Sequence, residues 1–205
     1  MIDTLIFDLG AVLIDWNPNY LYRTIFEDET ERHLFLSTIC TPDWNEEQDG
    51  GRSIQDGTEL QVARFPQHKT AIEAFYGRWS EMLGGPIAAT VAIFAELKAT
   101  DKYRFYALTN WSAETFPIAQ ERFDFLSWFD GIVVSGIEKD RKPFASFYHT
   151  LLNRYSVESD KALFIDDNRR NVEAAEALGI RSLHFTSPDN LRNDLIQLGV
   201  LPGRV

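Results

Sequence analysis

Phe7-Asp8-Leu9-Gly10-Ala11-Val12 ends the first apolar run of the chain, Leu5–Phe7, on a carboxylate. The pattern returns three times. Tyr103–Leu108 runs into Thr109-Asn110, Gly131–Val134 leads through Ser135 to Lys142, and Ala162–Ile165 ends in Asp166-Asp167. Short continuous apolar runs suit parallel strands buried on both faces. Ser182–Phe185 is a candidate fifth strand. Between these runs, Ile87–Ala99, Ala113–Arg122, Phe144–Tyr155 and Asn171–Leu178 have helical spacing, the last closed by Gly179. Strand-helix alternation predicts an α/β fold built on a doubly wound, Rossmann-like parallel sheet.

Residues 17–84 break this rhythm, with aromatic and charged residues at helical periodicity and few strand-like runs. They are expected to form a small α-helical cap inserted after the first strand, leaving a core of residues 1–16 and 85–205. Gly84-Gly85-Pro86 reads as the return hinge, with Pro86 suited to the first turn of the next helix.

Composition narrows the partners. A net charge of −11 over 205 residues argues against nucleic acid, whose binding needs clustered Lys and Arg. Cys40 is the only cysteine, so an internal disulfide and a cysteine-rich metal cluster are excluded, and a buried, inert thiol is expected. No apolar stretch approaches the roughly 18 residues of a membrane span. The N-terminus opens into the strand-like stretch Ile2–Leu9 without the pattern of a secretion signal. The expectation is a cytoplasmic protein, monomeric or a weak homodimer, acting on a small phosphorylated metabolite.

In open α/β sheets ligands bind beyond the carboxyl ends of the strands. Asp8, Thr109-Asn110, Lys142 and Asp166-Asp167 would therefore share one crevice. Crowded carboxylates need a compensating cation, and Mg2+, a hard ion that prefers oxygen ligands and substrate phosphate, suits them. Lys142 can pair with Asp8 and with a phosphate, while the Thr109 hydroxyl can bind a further phosphate oxygen. This is the equipment of phosphoryl transfer. Taken singly, each residue has a plainer reading: Asp8 capping a turn, Asp166-Asp167 capping the next helix, Lys142 a surface lysine and Thr109 a strand-end hydroxyl.

Four ordered segments resemble the haloacid dehalogenase superfamily: Phe7-Asp8-Leu9-Gly10-Ala11-Val12, Leu108-Thr109-Asn110, Arg141-Lys142-Pro143, and Phe164-Ile165-Asp166-Asp167-Asn168 continuing to Asn171. The likeness spans the whole core and is nearest to the glucose-1-phosphate phosphatase-like branch, alongside the epoxide hydrolase N-terminal phosphatase-like one. The resemblance implies that Asp8 is nucleophile and magnesium ligand, that residue 10 lends a carbonyl to the metal, and that Asp167 is a second carboxylate ligand. It implies a metal-adjacent Asp166, phosphate-binding and charge-balancing roles for Thr109 and Lys142, a pocket-shaping Asn110, and an Asn171 that supports the metal loop. In the cap, Trp44-Asn45 followed by Asp49-Gly50-Gly51 resembles the loop such caps lower onto substrate. It reads as a turn whose Trp44 either stacks on a sugar ring or anchors cap packing. Trp111 is equally open between site and core.

Gly10 departs from the family, most of whose phosphatases place a general acid–base Asp there. A good leaving group, a water or another residue must compensate, and Asp15 is the candidate within reach along the chain. Two other functions remain open: 2-haloacid dehalogenation, in which Asp8 attacks carbon without metal, and a non-enzymatic sugar-phosphate binder or phosphorylated switch. His33, His68, His149 and His184 lack ligand spacing and are read as structural or surface residues.

Overall fold

The computed structural model describes residues 1–203. In chain order its elements are β1 (Thr4–Phe7), β2 (Ile14–Trp16), α1 (Asn19–Tyr22), α2 (Glu29–Thr38), α3 (Pro42–Asp49), α4 (Ile54–Arg64), α5 (Lys69–Gly77), β3 (Leu83–Pro86) and α6 (Ala88–Lys98). There follow β4 (Arg104–Thr109), α7 (Phe116–Arg122), β5 (Gly131–Val134), α8 (Ser135–Glu138), α9 (Ala145–Arg154), β6 (Ala162–Asp166), α10 (Arg169–Ala177), β7 (Arg181–His184) and α11 (Pro188–Gln197), with short 3-10 turns between some of them. Among the described residues no helix is long and apolar enough to cross a membrane.

The main sheet has the order β5-β4-β1-β6-β7, and every pairing in it is parallel. The period of two along each strand sorts the side chains onto two faces. Leu5, Phe7, Phe105, Ala107, Leu163 and Ile165 join the larger core cluster, whereas Ile6, Tyr106, Leu108 and Phe164 join the other. Both faces are therefore covered, which is why the strands read as uninterrupted apolar runs. Because β1 is central, its end lies between those of β4 and β6, and Phe7 registers with Ala107 on one side and Ile165 on the other.

Five helices occupy the segment between β2 and β3. Their starts are capped as local chemistry favours: Asp28 accepts from the Glu31 N–H, Thr41 from Trp44 and Ser53 from Asp56, with Pro42 in the first turn of α3. Tyr22, Phe26, Phe35, Trp44, Phe75 and Tyr76 pack ring against ring inside this segment, mostly tilted or edge-on. Cys40 is buried beside Tyr22, and desolvation pushes its thiol up to about 12, well away from reactive thiolate.

One element departs from expectation. Gly84-Gly85-Pro86 is not a free hinge leading into a helix. It lies in β3, which pairs antiparallel with β2. Gly85 has φ +131°, a conformation that side chains disfavour, and α6 starts only at Ala88. The chain thus leaves for the inserted helices and returns from them through a two-stranded ribbon.

Candidate active site

Each strand end delivers one group. Asp8 follows β1 and its N–H donates to Ile165 O (2.8 Å), fixing the turn away from the sheet. Its Oδ1 accepts from the Leu9 N–H (2.8 Å) and faces Lys142 Nζ at 3.0 Å, while Oδ2 accepts no hydrogen bond among the described residues. Lys142 is fully buried and also reaches Asp166 Oδ2 at 2.6 Å. A buried ammonium shared by two carboxylates keeps its proton: desolvation opposes the charge, but the two acids outweigh it and its pKa stays above the ordinary lysine value.

Asp166 is saturated. Besides Lys142 it accepts from the Asn168 N–H (2.8 Å) and from Asn171 Nδ2 at 3.1 and 3.2 Å. A carboxylate offers about four lone-pair sites, so Asp166 in this arrangement orients Lys142 and the α10 loop. Oxygens of Asp8, Asp166 and Asp167 all lie within 4.8 Å of one another. Burial raises Asp8 above the usual carboxylate range, Lys142 pulls it back, and Asp166 and Asp167 push it up again. Asp167 is likewise raised, by desolvation first and Asp166 second. This hard-oxygen cluster is short of positive charge and fits a magnesium ion, which Asp8 and Asp167 would hold.

Thr109, at the end of β4, is fully buried, and its Oγ1 has no hydrogen-bond partner among the described residues. A stranded buried hydroxyl beside such a cluster fits a phosphate oxygen. Asn110 clamps the Lys142 backbone on both sides: its Nδ2 donates to Lys142 O (3.0 Å) and its Oδ1 accepts from Lys142 N (2.9 Å).

Asn110 also lines a cavity of about 90 Å³ together with Gly10, Trp16, Asn45, Asp49, Trp79 and Trp111. Gly10 and Asn45, both singled out from sequence, stand in this wall. Trp44 does not. It lies in helix α3, not in a turn; its indole N–H donates to Gly57 O (3.1 Å) and its ring packs edge-on against Phe75 (5.1 Å). Of its two readings, anchoring the inserted helices is the one its contacts support. Asp15 is not in the wall either: on β2 it accepts from the Tyr20 hydroxyl at 2.6 Å, so it does not stand in for an acid at position 10.

Trp111 resolves toward the cavity, its ring 5.3 Å from that of Trp79. Trp16 and Trp79 carry no signal in the sequence, because only the ribbon and the docking of the inserted helices bring them to the wall. Asp49 is visible there only as part of a turn. It is the last residue of α3, and burial pushes its carboxyl up to about 7. His184 Nε2 donates to the Asp167 carbonyl oxygen (2.8 Å), a structural position.

Residues 5–185 match the family model of haloacid dehalogenase-like hydrolases. The chain is 30% identical to a sesquiterpene phosphatase of Aspergillus oryzae over 88% of both chains. It is 24% identical to a phosphorylated carbohydrates phosphatase of Thermotoga maritima over 89% of this chain and 84% of that one. A haloacid dehalogenase family enzyme of Bacteroides thetaiotaomicron, solved in complex with magnesium and inorganic phosphate, superposes with a TM-score of 0.64 at 19% identity, covering 91% of this chain and 95% of that one. The family match covers both the turn after β1 that carries Asp8 and the acidic loop after β6, and the chain belongs to the haloacid dehalogenase-like hydrolases.

Proposed function

We propose that this hydrolase removes phosphate from a small phosphomonoester, through a phosphoryl group carried on Asp8 and with Mg2+ held by Asp8 and Asp167. The observation that supports the reading most is the shared ammonium of Lys142, which meets both Asp8 and Asp166 at the sheet edge. Bound magnesium would neutralise the acids and draw charge from the phosphate oxygens. The chain's own residues do the rest. Asp8 Oδ2 is the oxygen left for attack on phosphorus, Thr109 Oγ1 and Lys142 Nζ receive phosphate oxygens, and Asp166 keeps Lys142 in place. Attack forms the Asp8–phosphorus bond as the ester bond breaks; water then attacks phosphorus and returns Asp8 to carboxylate.

The leaving alcohol belongs in the cavity beside Gly10, and a sugar-like alcohol suits it. Trp16 Nε1 and Trp111 Nε1 are buried donors without partners among the described residues, and Asn45, Asp49 and Asn110 add polar groups to the same wall. Hydroxyls would satisfy these, whereas an apolar alcohol would leave them stranded. The three indoles of Trp16, Trp79 and Trp111 give a second reading, an isoprenoid-like phosphate, in line with the sesquiterpene phosphatase relative. The helices between β2 and β3 act as a cap over this cavity. The protein is expected to work as a monomer or weak homodimer in the cytoplasm.

Phosphate release from a panel of sugar and isoprenyl monophosphates separates the two substrate readings. In the same assay Asp8→Asn should lower turnover by about four orders of magnitude, without lowering the melting temperature, and chelation of magnesium should abolish release. Wild-type turnover in Asp8→Asn, or release that is indifferent to chelator, would refute the reading.

A further inference from the structure

Gly10 leaves the site without a carboxylate where proton transfer to the leaving group has to happen. A Cβ built on Gly10 meets no atom within 4 Å, so the space beside it is open. One titratable side chain in the wall of that space comes from the inserted helices: Asp49. We propose that Asp49 is the general acid and base of this enzyme, brought to the core by docking of α3. The proposal rests on the phosphatase reading above.

Asp49 is held as an oriented group. Its Oδ2 accepts from Asn45 Nδ2 (2.7 Å), and its carboxyl accepts from the Ser112 backbone N–H. The Asn45 amide is fixed in turn, because Tyr76 Oη donates to Asn45 Oδ1 (2.9 Å) and accepts from Gln48 Nε2 (3.2 Å). Its main chain is tied to the core as well. The buried Ser135 hydroxyl donates to Asp49 O and accepts from the Trp111 N–H (2.8 Å). These bonds span α3, α5, the loop after β4 and the start of α8, so the carboxyl is placed by both segments.

The charged groups around it set its protonation. Burial dominates and raises it; Glu46 on its own helix and Asp8 from the core raise it further, while the Arg141 guanidinium and the Ser112 N–H lower it. Tyr76 faces it from α5. The result, about 7, suits a group that must give a proton in one step and take one in the next.

The balance closes. In the first step Asp8 attacks phosphorus, the phosphorus–oxygen bond to the leaving group breaks, and that oxygen takes the proton of Asp49. In the second, Asp49 carboxylate takes a proton from water as its oxygen attacks phosphorus, and the Asp8–phosphorus bond breaks. Asp49 ends protonated, as it began.

The test compares Asp49→Asn, an isostere, with the unmodified enzyme on two probes: p-nitrophenyl phosphate, whose leaving group needs no proton, and glycerol phosphate, whose alkoxide does. The expected result is a fall of roughly 10²–10⁴-fold in kcat/KM for glycerol phosphate, with a far smaller fall for p-nitrophenyl phosphate. In the unmodified enzyme kcat/KM for glycerol phosphate should decline as pH rises through about 7, where Asp49 loses its proton, and the variant should lack that limb. Equal losses on both probes, or an unchanged pH limb, would overturn Asp49 while leaving the Asp8 reading intact. Absence of magnesium-dependent release from both probes by the unmodified enzyme removes the phosphatase reading and the proposal with it.

Discussion

Replacing Lys142 with Met keeps the side-chain volume near that of lysine and removes the one ammonium that Asp8 and Asp166 share. That ammonium stands 3.0 Å from Asp8 and 2.6 Å from Asp166, and both it and the Asp166 carboxyl are shielded from water. Breaking a buried pair from one side costs about 3–5 kcal/mol, because the partner left behind is an uncompensated charge. For a chain in the 150–250 residue range each kcal/mol lowers the melting temperature by roughly 2–4 °C, so the drop should be about 6–20 °C. The sign of the pH dependence follows from the acids. Asp8 and Asp167 already sit above their ordinary values, and removing Lys142, which lowers both, raises them further. A folded-state value above the unfolded one means that the native state holds the extra proton, so stability falls as pH rises from the ordinary carboxylate value through the raised one. The deficit of Lys142→Met should therefore be largest at pH 8 and shrink on acidification, where a proton replaces the ammonium. Added magnesium should recover part of it by binding the native state alone. Thermal melts followed by circular dichroism at pH 5.5 and 8, in chelator and in magnesium, measure all of this. A drop below about 2 °C at pH 8 in chelator, or a deficit that grows on acidification, would show that Lys142 is not the charge that holds the acids together.

Trp44→Phe removes the indole bond to Gly57 O but keeps an aromatic ring against Phe75, so it should cost about 1 kcal/mol and leave KM within a factor of two; a large rise in KM in steady-state assays would return Trp44 to the substrate site. Gly10→Asp has room for its side chain beside the cavity. In the Asp49→Asn background it should raise turnover of glycerol phosphate roughly tenfold or more, and a further fall in that assay would mean that the open space is not where the leaving group takes its proton.

The core could be read from the chain because its signals are local. β5 begins and ends where the apolar run does, β4 differs from its run by one residue at each end, and β6 extends its run by one residue. Each run stops where the strand leaves the sheet, and that is also where Asp8, Thr109 and Asp166 stand. Two-sided burial makes such strands legible without any knowledge of their partners. The ribbon of β2 and β3 was not legible in this way. Asp15 pairs with Gly85 across some 70 residues, and Leu83-Gly84-Gly85-Pro86 has neither alternation nor β-branched residues to announce a strand. The same limit applies to the cavity. Trp44 and Asp49 are five residues apart on one helix, yet one is turned into the inserted helices and the other toward the core. Which is which depends on how α3 docks, and no property of the segment itself carries that information.

Dividing the chemistry between segments has a physical consequence. Asp8, the Lys142 ammonium and the acidic loop stand on the core, while Asp49 and Asn45 arrive with α3. The cavity beside Gly10, about 90 Å³, is far below the 300–1,000 Å³ of typical ligand pockets, and because Asn45 and Asp49 of α3 form part of its wall, movement of α3 would enlarge it. The charged contacts that would break are Arg170 with Glu46 (2.5 Å), Arg141 with Glu47 (3.0 Å) and Arg141 with Glu46 (3.9 Å), all partly exposed pairs of the kind that contribute little to stability. Lifting would also break the bond from the buried Ser135 hydroxyl to Asp49 O, and while α3 is away the core keeps Asp8 with no group beside Gly10 to protonate a leaving oxygen. On the proposed chemistry, phosphoryl transfer to Asp8 from a poor leaving group would be slow in the open state, where bulk water would compete for the site, and fast only once closure brings in the proton of Asp49. A carboxylate fixed on the core at position 10 would be present in both states; one carried by α3 makes catalysis conditional on the same motion that tests the fit of the alcohol.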